Sequence, residues 1–168
     1  MARILGIDPG IRRTGFGLID DEGAGQRLVD AGVIAPSPDD ELLARLLEIE
    51  RSVEALLDRW RPDALAVENV FYHKNPQSTL TLGRAQAAVL LCAGRRGLPL
   101  ALYSPSEVKQ ALTGSGRAAK EQVQFMVERI LGRSFGGETQ DLTDALAVAL
   151  CHAGRRRSPL SLAALERG

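Results

Sequence analysis

Arg3-Ile4-Leu5-Gly6-Ile7-Asp8-Pro9-Gly10 is the stretch on which the fold turns. It is short, mostly apolar before Asp8 and halted by Pro-Gly, the pattern of a buried strand ended by a turn. Two more runs rich in apolar and β-branched residues follow, 14–20 and 26–35, with Gly23 and Gly25 supplying a turn between them. Gly15 and Gly17 weaken the strand signal of the first run. Three successive strands with short connections predict an antiparallel meander.

Outward from there, Ser37 stands where a helix N-cap is wanted and Pro38 suits the first helical position. Asp39, Asp40 and Glu41 favour the positive end of the helix dipole. Leu42, Leu43, Leu46, Leu47, Val53, Leu56, Leu57 and Trp60 recur at helical spacing until Arg61-Pro62-Asp63 ends the helix. Ala64 to Glu68 reads as a further buried strand, and a strand–helix–strand order favours a parallel crossover.

Asn75-Pro76 opens another helix, which runs to about Arg96 and stops at Gly97 with Pro99 beyond. Residues 100–103 make a last short strand. Ser104-Pro105-Ser106-Glu107 has the form of a capping box for a short helix to about Thr113. A glycine-rich loop, 114–117, leads into a helix that ends near Gly132. Thr139 can cap the final long helix, which Gly154 closes. The expected class is α/β, with one domain over 1–154. The tail over 155–168 is basic, then rich in small residues, the composition of a partly mobile end.

Composition agrees with one globular domain: 168 residues, 45% hydrophobic and 25% charged. No apolar run approaches the roughly 20 residues needed to span a bilayer, and the N-terminus has no signal-peptide pattern, so a cytoplasmic protein without membrane association is expected. Cys92 and Cys151 each lie in an apolar helical pattern and read as buried free thiols of a reducing compartment. The net charge of zero hides an asymmetry. Residues 1–68 hold 8 Lys/Arg against 14 Asp/Glu, residues 69–134 hold 9 against 3, and residues 135–168 hold 4 of each. A basic middle segment can present a local positive face to phosphates, although solvated helix faces give the same counts.

Four carboxylates stand out. Asp8 ends an apolar strand before Pro-Gly and is either a turn former or a ligand. Glu68 follows Leu65-Ala66-Val67, and a charge at the end of a buried strand must be solvated, paired or metal-bound. Strand ends of open α/β sheets are also where ligands gather. Asp141 and Asp144, three residues apart, share one face of the last helix roughly 5–6 Å apart at Cβ. They are ordinary N-terminal helix acids or a metal-sharing pair. Taken as a set, the four can converge into an all-oxygen site suited to Mg²⁺ or Mn²⁺ rather than zinc. No Cys–His cluster has zinc spacing. His73 and His152 are isolated, and His152 reads as a packing or surface residue.

Three motifs then carry a resemblance: Gly6-Ile-Asp8-Pro-Gly10 with Thr14-Gly15, Ala66-Val-Glu68-Asn-Val-Phe71, and Asp141-Leu-Thr-Asp144-Ala-Leu-Ala147. In this order they resemble the RuvC family of bacterial Holliday-junction resolvases over about residues 2–153. Ser104-Pro105-Ser106-Glu107-Val108-Lys109 and Gly114-Ser-Gly-Arg117-Ala-Ala-Lys120 look like further family segments. The resemblance implies a ribonuclease-H-like fold, with a mixed five-stranded sheet flanked by helices. It also implies a homodimer that resolves four-way DNA junctions by paired nicks in strands of like polarity, in recombination and repair, beside a branch-migration motor complex of the RuvA and RuvB type. By position, Asp8, Glu68, Asp141 and Asp144 match the family's metal-binding acids. Some members carry His at the place of Asp141, whereas this chain has the all-carboxylate form. Lys109 and Lys120 match basic residues tied to DNA contact or catalysis, and Phe71 matches an aromatic that probes the junction centre.

Physical chemistry points the same way. Phosphodiester hydrolysis gathers charge on the attacking and leaving oxygens, and two Mg²⁺ ions per subunit, replaceable by Mn²⁺, can stabilise both. Asp8, expected at the centre of the sheet, is the candidate to share both ions. Glu68 and Asp141 or Asp144 would complete the two sites. Lys120 would hold the scissile phosphate as a point cation. Phe71, in the loop after Glu68, could stack on an unpaired base or pack on the next helix. Arg84, Arg95, Arg96, Lys109, Arg117 and Lys120 are candidates for phosphate contacts that set register without reading sequence. Two rivals keep the scaffold: a ribonuclease-H-like RNA-processing nuclease and a catalytically silent junction-binding module that the four acids disfavour. A third, an ATP-binding domain of the sugar-kinase or chaperone type, opens with a similar Gly-Ile-Asp-x-Gly turn but needs a second domain, for which 168 residues are too few.

Overall fold

Pro9-Gly10 folds the chain back on itself, so that β1 (Ala2–Asp8) pairs antiparallel with β2 (Thr14–Asp21), Asp8 opposite Gly15. A computed structural model describes residues 1–69, 76–136 and 140–156. β3 (Gln26–Ile34) continues the meander antiparallel to β2, with a bulge at Leu18/Ile19. Helix α1 (Leu42–Trp60) then crosses over to β4 (Ala64–Glu68), which lies parallel to β1. Helix α2 (Pro76–Arg95) leads to β5 (Leu100–Tyr103), parallel to β4. The strand order is β3-β2-β1-β4-β5, the mixed five-stranded sheet expected, with β1 at its centre. Helices α3 (Pro105–Thr113), α4 (Lys120–Leu131) and α5 (Gln140–Arg156) complete the chain.

The two-residue period of the strands sorts the core into two layers. Leu5, Ile7, Leu18, Leu65 and Val67 face Ile49, Val53 and Leu57 of α1 and Val89 and Cys92 of α2. Ile4, Ile19 and Ala66 point to the other face, against α3, α4 and the long apolar side of α5. At the end of the sheet away from Asp8, buried Asp20 takes paired bonds from Arg3 (2.7 and 3.0 Å) and one from Arg27 (2.6 Å). These guanidinium bonds hold its carboxyl below the usual carboxylate range despite burial. Arg95 pairs with Glu50 on α1, and Arg96 pairs with Glu54 and, at 2.7 Å, with Asp58. These two arginines tie α2 to α1 and are not set out as free phosphate contacts.

Two helix ends differ from expectation. α1 starts at Leu42, with Glu41 as N-cap residue and no side-chain bond. Ser37 lies in a turn before it, where its Oγ accepts from the Asp39 N–H (3.3 Å) and its carbonyl from the Asp40 N–H (3.2 Å). A residue before proline avoids the helical region. Arg45 fixes that turn outside the helix by donating to the carbonyls of Pro38 and, at 2.8 Å, Asp40. At the other end of the chain, α5 runs through Gly154 to Arg156. Arg155 holds this last turn down through Glu107 (2.9 Å) and the face of the Tyr103 ring, 5.3 Å from its centroid. The Ser104–Glu107 capping box is present in both directions. Thr139 and residues 157–168 lie outside the described residues.

Candidate active site

Strand alternation decides where the first two acids point. With Ile4 and Ala66 facing α5, Gly6, Asp8 and Glu68 fall on the same side. Ile7 and Val67 are register partners across the parallel pair, so Asp8 and Glu68 stand side by side at the carboxyl ends of β1 and β4. Beyond Asp8 the turn is pinned by buried Thr14, whose hydroxyl donates to the Gly10 carbonyl (2.8 Å) and accepts from the Gly10 N–H (3.2 Å). Beyond Glu68, the Asn69 N–H donates to the Tyr103 carbonyl (2.8 Å), and Gln86 donates to the Glu68 carbonyl (3.4 Å) and to Asn69 Oδ1 (3.1 Å).

Glycines bring the other two acids in. A Cβ on Gly6 would stand 2.2 Å from the Ala145 carbonyl oxygen, and one on Gly17 would stand 2.6 Å from the Leu146 side chain. One on Gly15 would stand 1.9 Å from the carbonyl oxygen of Asp141 itself. The missing side chains form a floor on which α5 lies directly against the backbone of β1 and β2. Its first turn, with Asp141 and then Asp144, therefore ends over Asp8.

Electrostatics record that convergence. Burial, then the charges of Glu68, Asp144 and Asp141, push the Asp8 carboxyl up to about 8, against the pull of Lys120. Burial and the charge of Asp144 push Glu68 up to about 7, with Lys120 and Lys109 pulling down. Asp144 is raised as well, chiefly by burial, although Lys120 Nζ lies 3.6 Å from its Oδ2. Asp141 is turned outward to Arg13, whose Nε donates to its Oδ2 at 2.6 Å.

Neither the Asp8 nor the Glu68 carboxylate accepts a hydrogen bond from a described residue. Among the described residues no three acids, imidazoles or thiols close into a ready cage for an ion. Like charges without a counter-ion repel, and Asp141 and Asp144 take the nearest cations on offer. As a donor set the group is all oxygen and partly buried, which fits a hard divalent cation.

Lys120, at the start of α4, and Lys109, on α3, both act on these acids through their charge. Arg117 is exposed in the loop before α4, its N–H bonded to Ser115 Oγ (3.4 Å), and it makes no contact with the acids. Phe71 lies outside the described residues. His152 is packed away from the acids, its Nδ1 bonded to the Tyr103 hydroxyl (2.7 Å), and burial lowers it to about 4. Cys92 and Cys151 are buried free thiols, as expected. Arg13 is the site residue that sequence reasoning missed. The available signal was its place in the turn between Asp8 and Gly15, at the same strand end as the first acid.

The family model for crossover junction endodeoxyribonuclease RuvC matches residues 4–152. The crossover junction endodeoxyribonuclease RuvC of Thermobifida fusca is 48% identical over 91% of this chain and 85% of its own length. That of Salinibacter ruber is 47% identical over 90% and 85%. The solved structure of Thermus thermophilus RuvC in complex with Holliday junction substrate is 40% identical, with a TM-score of 0.88 over 94% of this chain and 96% of that one. The yeast mitochondrial Holliday junction resolvase Ydc2, 17% identical at a TM-score of 0.67, shares the ribonuclease-H-like fold. With the fold, the order of motifs and identities near one half in agreement, this chain belongs to the RuvC family of crossover junction endodeoxyribonucleases.

Proposed function

We propose that this protein resolves Holliday junctions by paired, symmetric nicks, using Asp8, Glu68, Asp141 and Asp144 to hold divalent cations. The observation that carries the reading is the pair of half-buried carboxylates, Asp8 and Glu68, side by side at the ends of β1 and β4, raised to about 8 and about 7 chiefly by burial, with Asp144 adding to both. Like charges this close and partly buried repel, and a divalent cation held among them would relieve that repulsion for the whole cluster. The similarity to a Thermus thermophilus protein solved with a Holliday junction supports the substrate.

Mg²⁺ is the ion we assign, two per subunit, with Mn²⁺ as a substitute. Bound there, such ions would stabilise the charge that builds on the attacking and leaving oxygens of the phosphodiester. Asp8, on the central strand, would be the ligand shared by both positions. Glu68 would complete one of them, and Asp141 or Asp144 the other. Lys120, already beside Asp144, holds the scissile phosphate as a point cation, and Lys109 adds to the same field. Water is the nucleophile, and no side chain forms a covalent intermediate. Phe71 stacks on an unpaired base at the junction centre, and Arg117 contacts the backbone.

Two nicks of like polarity require two active sites related by a two-fold axis, so the working unit is a homodimer. A branch-migration motor complex of the RuvA and RuvB type is the expected partner. A reducing, cytoplasmic setting suits the two free thiols. Among the described residues no helix is long and apolar enough to cross a membrane.

The test is cleavage of a labelled four-way junction with Mg²⁺ and with Mn²⁺, nick positions mapped, for the wild type, Asp8→Asn and Glu68→Gln. Both variants are expected to shift the junction in a gel and to leave it uncut. Variants that fold and bind yet cleave at the wild-type rate would overturn the assignment. Preferential cutting of an RNA duplex by the wild type would favour an RNA-processing role instead.

A further inference from the structure

Beside the acids lies a second feature with its own chemistry. The turn after β1 and the connection from β3 to α1 enclose an open cleft of about 480 Å³, lined by Arg12, Arg13 and Arg45 together with residues 35–38. That volume is in the range of ordinary ligand sites. Among the described residues no carboxylate lines it, although Asp39, Asp40 and Glu41 follow closely in sequence. Arg45 is oriented by two backbone carbonyls, those of Pro38 and Asp40, which fix the guanidinium without neutralising its charge. Arg12 is exposed and makes no hydrogen bond or ion pair with a described residue. Of the three, Arg13 alone has a counter-ion among the described residues, Asp141 at 2.6 Å, and so forms the wall shared between this cleft and the acid cluster.

We propose that this cleft is a DNA-backbone subsite, in which Arg12, Arg13 and Arg45 hold a phosphodiester flanking the one that is cut. Planar guanidinium groups match phosphate oxygens two at a time, and three around one opening favour an anion over any neutral ligand. Among the described residues the lining offers prolines, an alanine and a serine but no aromatic ring on which a base could stack, so the backbone is held and the base is left unread. Because Arg13 touches both the cleft and Asp141, a strand seated here runs directly on to the acids. This subsite rests on the nuclease reading above, because it needs a strand crossing the acids. It also gives Arg13 a second anionic partner when DNA arrives.

The test uses Glu68→Gln protein, which is expected to bind junctions without cutting them, and measures junction affinity as a function of salt. Adding Arg12→Ala should weaken binding several-fold near about 0.1 M salt and reduce the log–log salt slope by about 0.9, the value for one lost phosphate contact. Arg96→Ala, whose guanidinium is occupied by Glu54 and Asp58, should leave both unchanged. Junctions carrying a single neutral methylphosphonate beside the cut position should bind less tightly to protein with Arg12 intact and show no such loss with Arg12→Ala. Identical slopes and affinities with and without Arg12 would overturn the proposal. So would competition by inorganic phosphate at this site with no methylphosphonate effect, which would make it an anion site unconnected with DNA. If the wild type neither binds nor cuts junctions, the nuclease reading fails. If it does both while Arg12→Ala is silent, only the subsite fails.

Discussion

Gly15→Ala is the perturbation that most sharply separates position from chemistry, because it alters no acid. An added Cβ would stand 1.9 Å from the Asp141 carbonyl oxygen and 2.5 Å from its carbonyl carbon, both backbone atoms of a helix that is packed along its length. Carbon and oxygen settle near about 3.3 Å, so the first turn of α5 must withdraw by roughly 1.4 Å. Overpacking of this kind costs about 1–3 kcal/mol. A misplacement of about 1 Å at a catalytic group costs on the order of 100-fold in rate. We therefore expect single-turnover junction cleavage to fall about 100-fold. The melting temperature should drop, far-UV circular dichroism should stay native, and junction binding should stay within a few-fold of wild type. Gly15 has no left-handed backbone torsion, so alanine suits the strand itself and the contact alone is under test. Gly94→Ala is the control, on an exposed face of α2 with nothing within 4 Å of the added atom. It should be neutral or stabilising by about 0.5–1 kcal/mol. Cleavage by Gly15→Ala within about threefold of wild type would refute the claim that the close approach of α5 to β2 sets the spacing of the acids.

Three further outcomes follow from the same geometry. Asp8 and Glu68 are raised to about 8 and about 7, so the folded metal-free protein keeps protons that the unfolded chain releases near pH 4. Their contribution therefore makes stability fall as pH rises from about 4 to about 8. Asp8→Asn should flatten that slope in denaturant titrations run with a chelator, and an unchanged slope would count against the cluster. Lys120→Ala should slow single-turnover nicking by roughly 10–100-fold through loss of the cation beside Asp144, and an unchanged rate would remove it from the site. Phe71→Ala should lower the preference for junction over duplex in competition binding, and equal preference in wild type and variant would defeat that role.

Much of this molecule is legible in the chain because strands have a period of two. Ile4-Leu5-Gly6-Ile7-Asp8 and Leu65-Ala66-Val67-Glu68 each end on an acid, and alternation puts both acids on one face. What resisted reading depended on residues far apart in sequence. Gly15 and Gly17 look like weaknesses in a strand until α5, more than 120 residues on, lies against them. Arg13 finds Asp141 across 128 positions, with no local pattern to announce it. Arg95 and Arg96 read as phosphate contacts because their partners sit on another helix. Even so, Glu50, Glu54 and Asp58 at four-residue spacing form an acidic stripe that could have warned of it. Ser37 has the right chemistry for a cap but is held between Pro36 and Pro38, and Arg45 stabilises the turn instead.

Manganese offers the most direct measurement of the central claim. Crystals of the protein with a four-way junction and Mn²⁺ would show, by anomalous scattering, where the ion goes. The prediction is density about 2.1 Å from a carboxylate oxygen of Asp8 and of at least one of Glu68, Asp141 and Asp144. Manganese bound elsewhere, or absent from these acids while the same preparation cuts junctions, would contradict it.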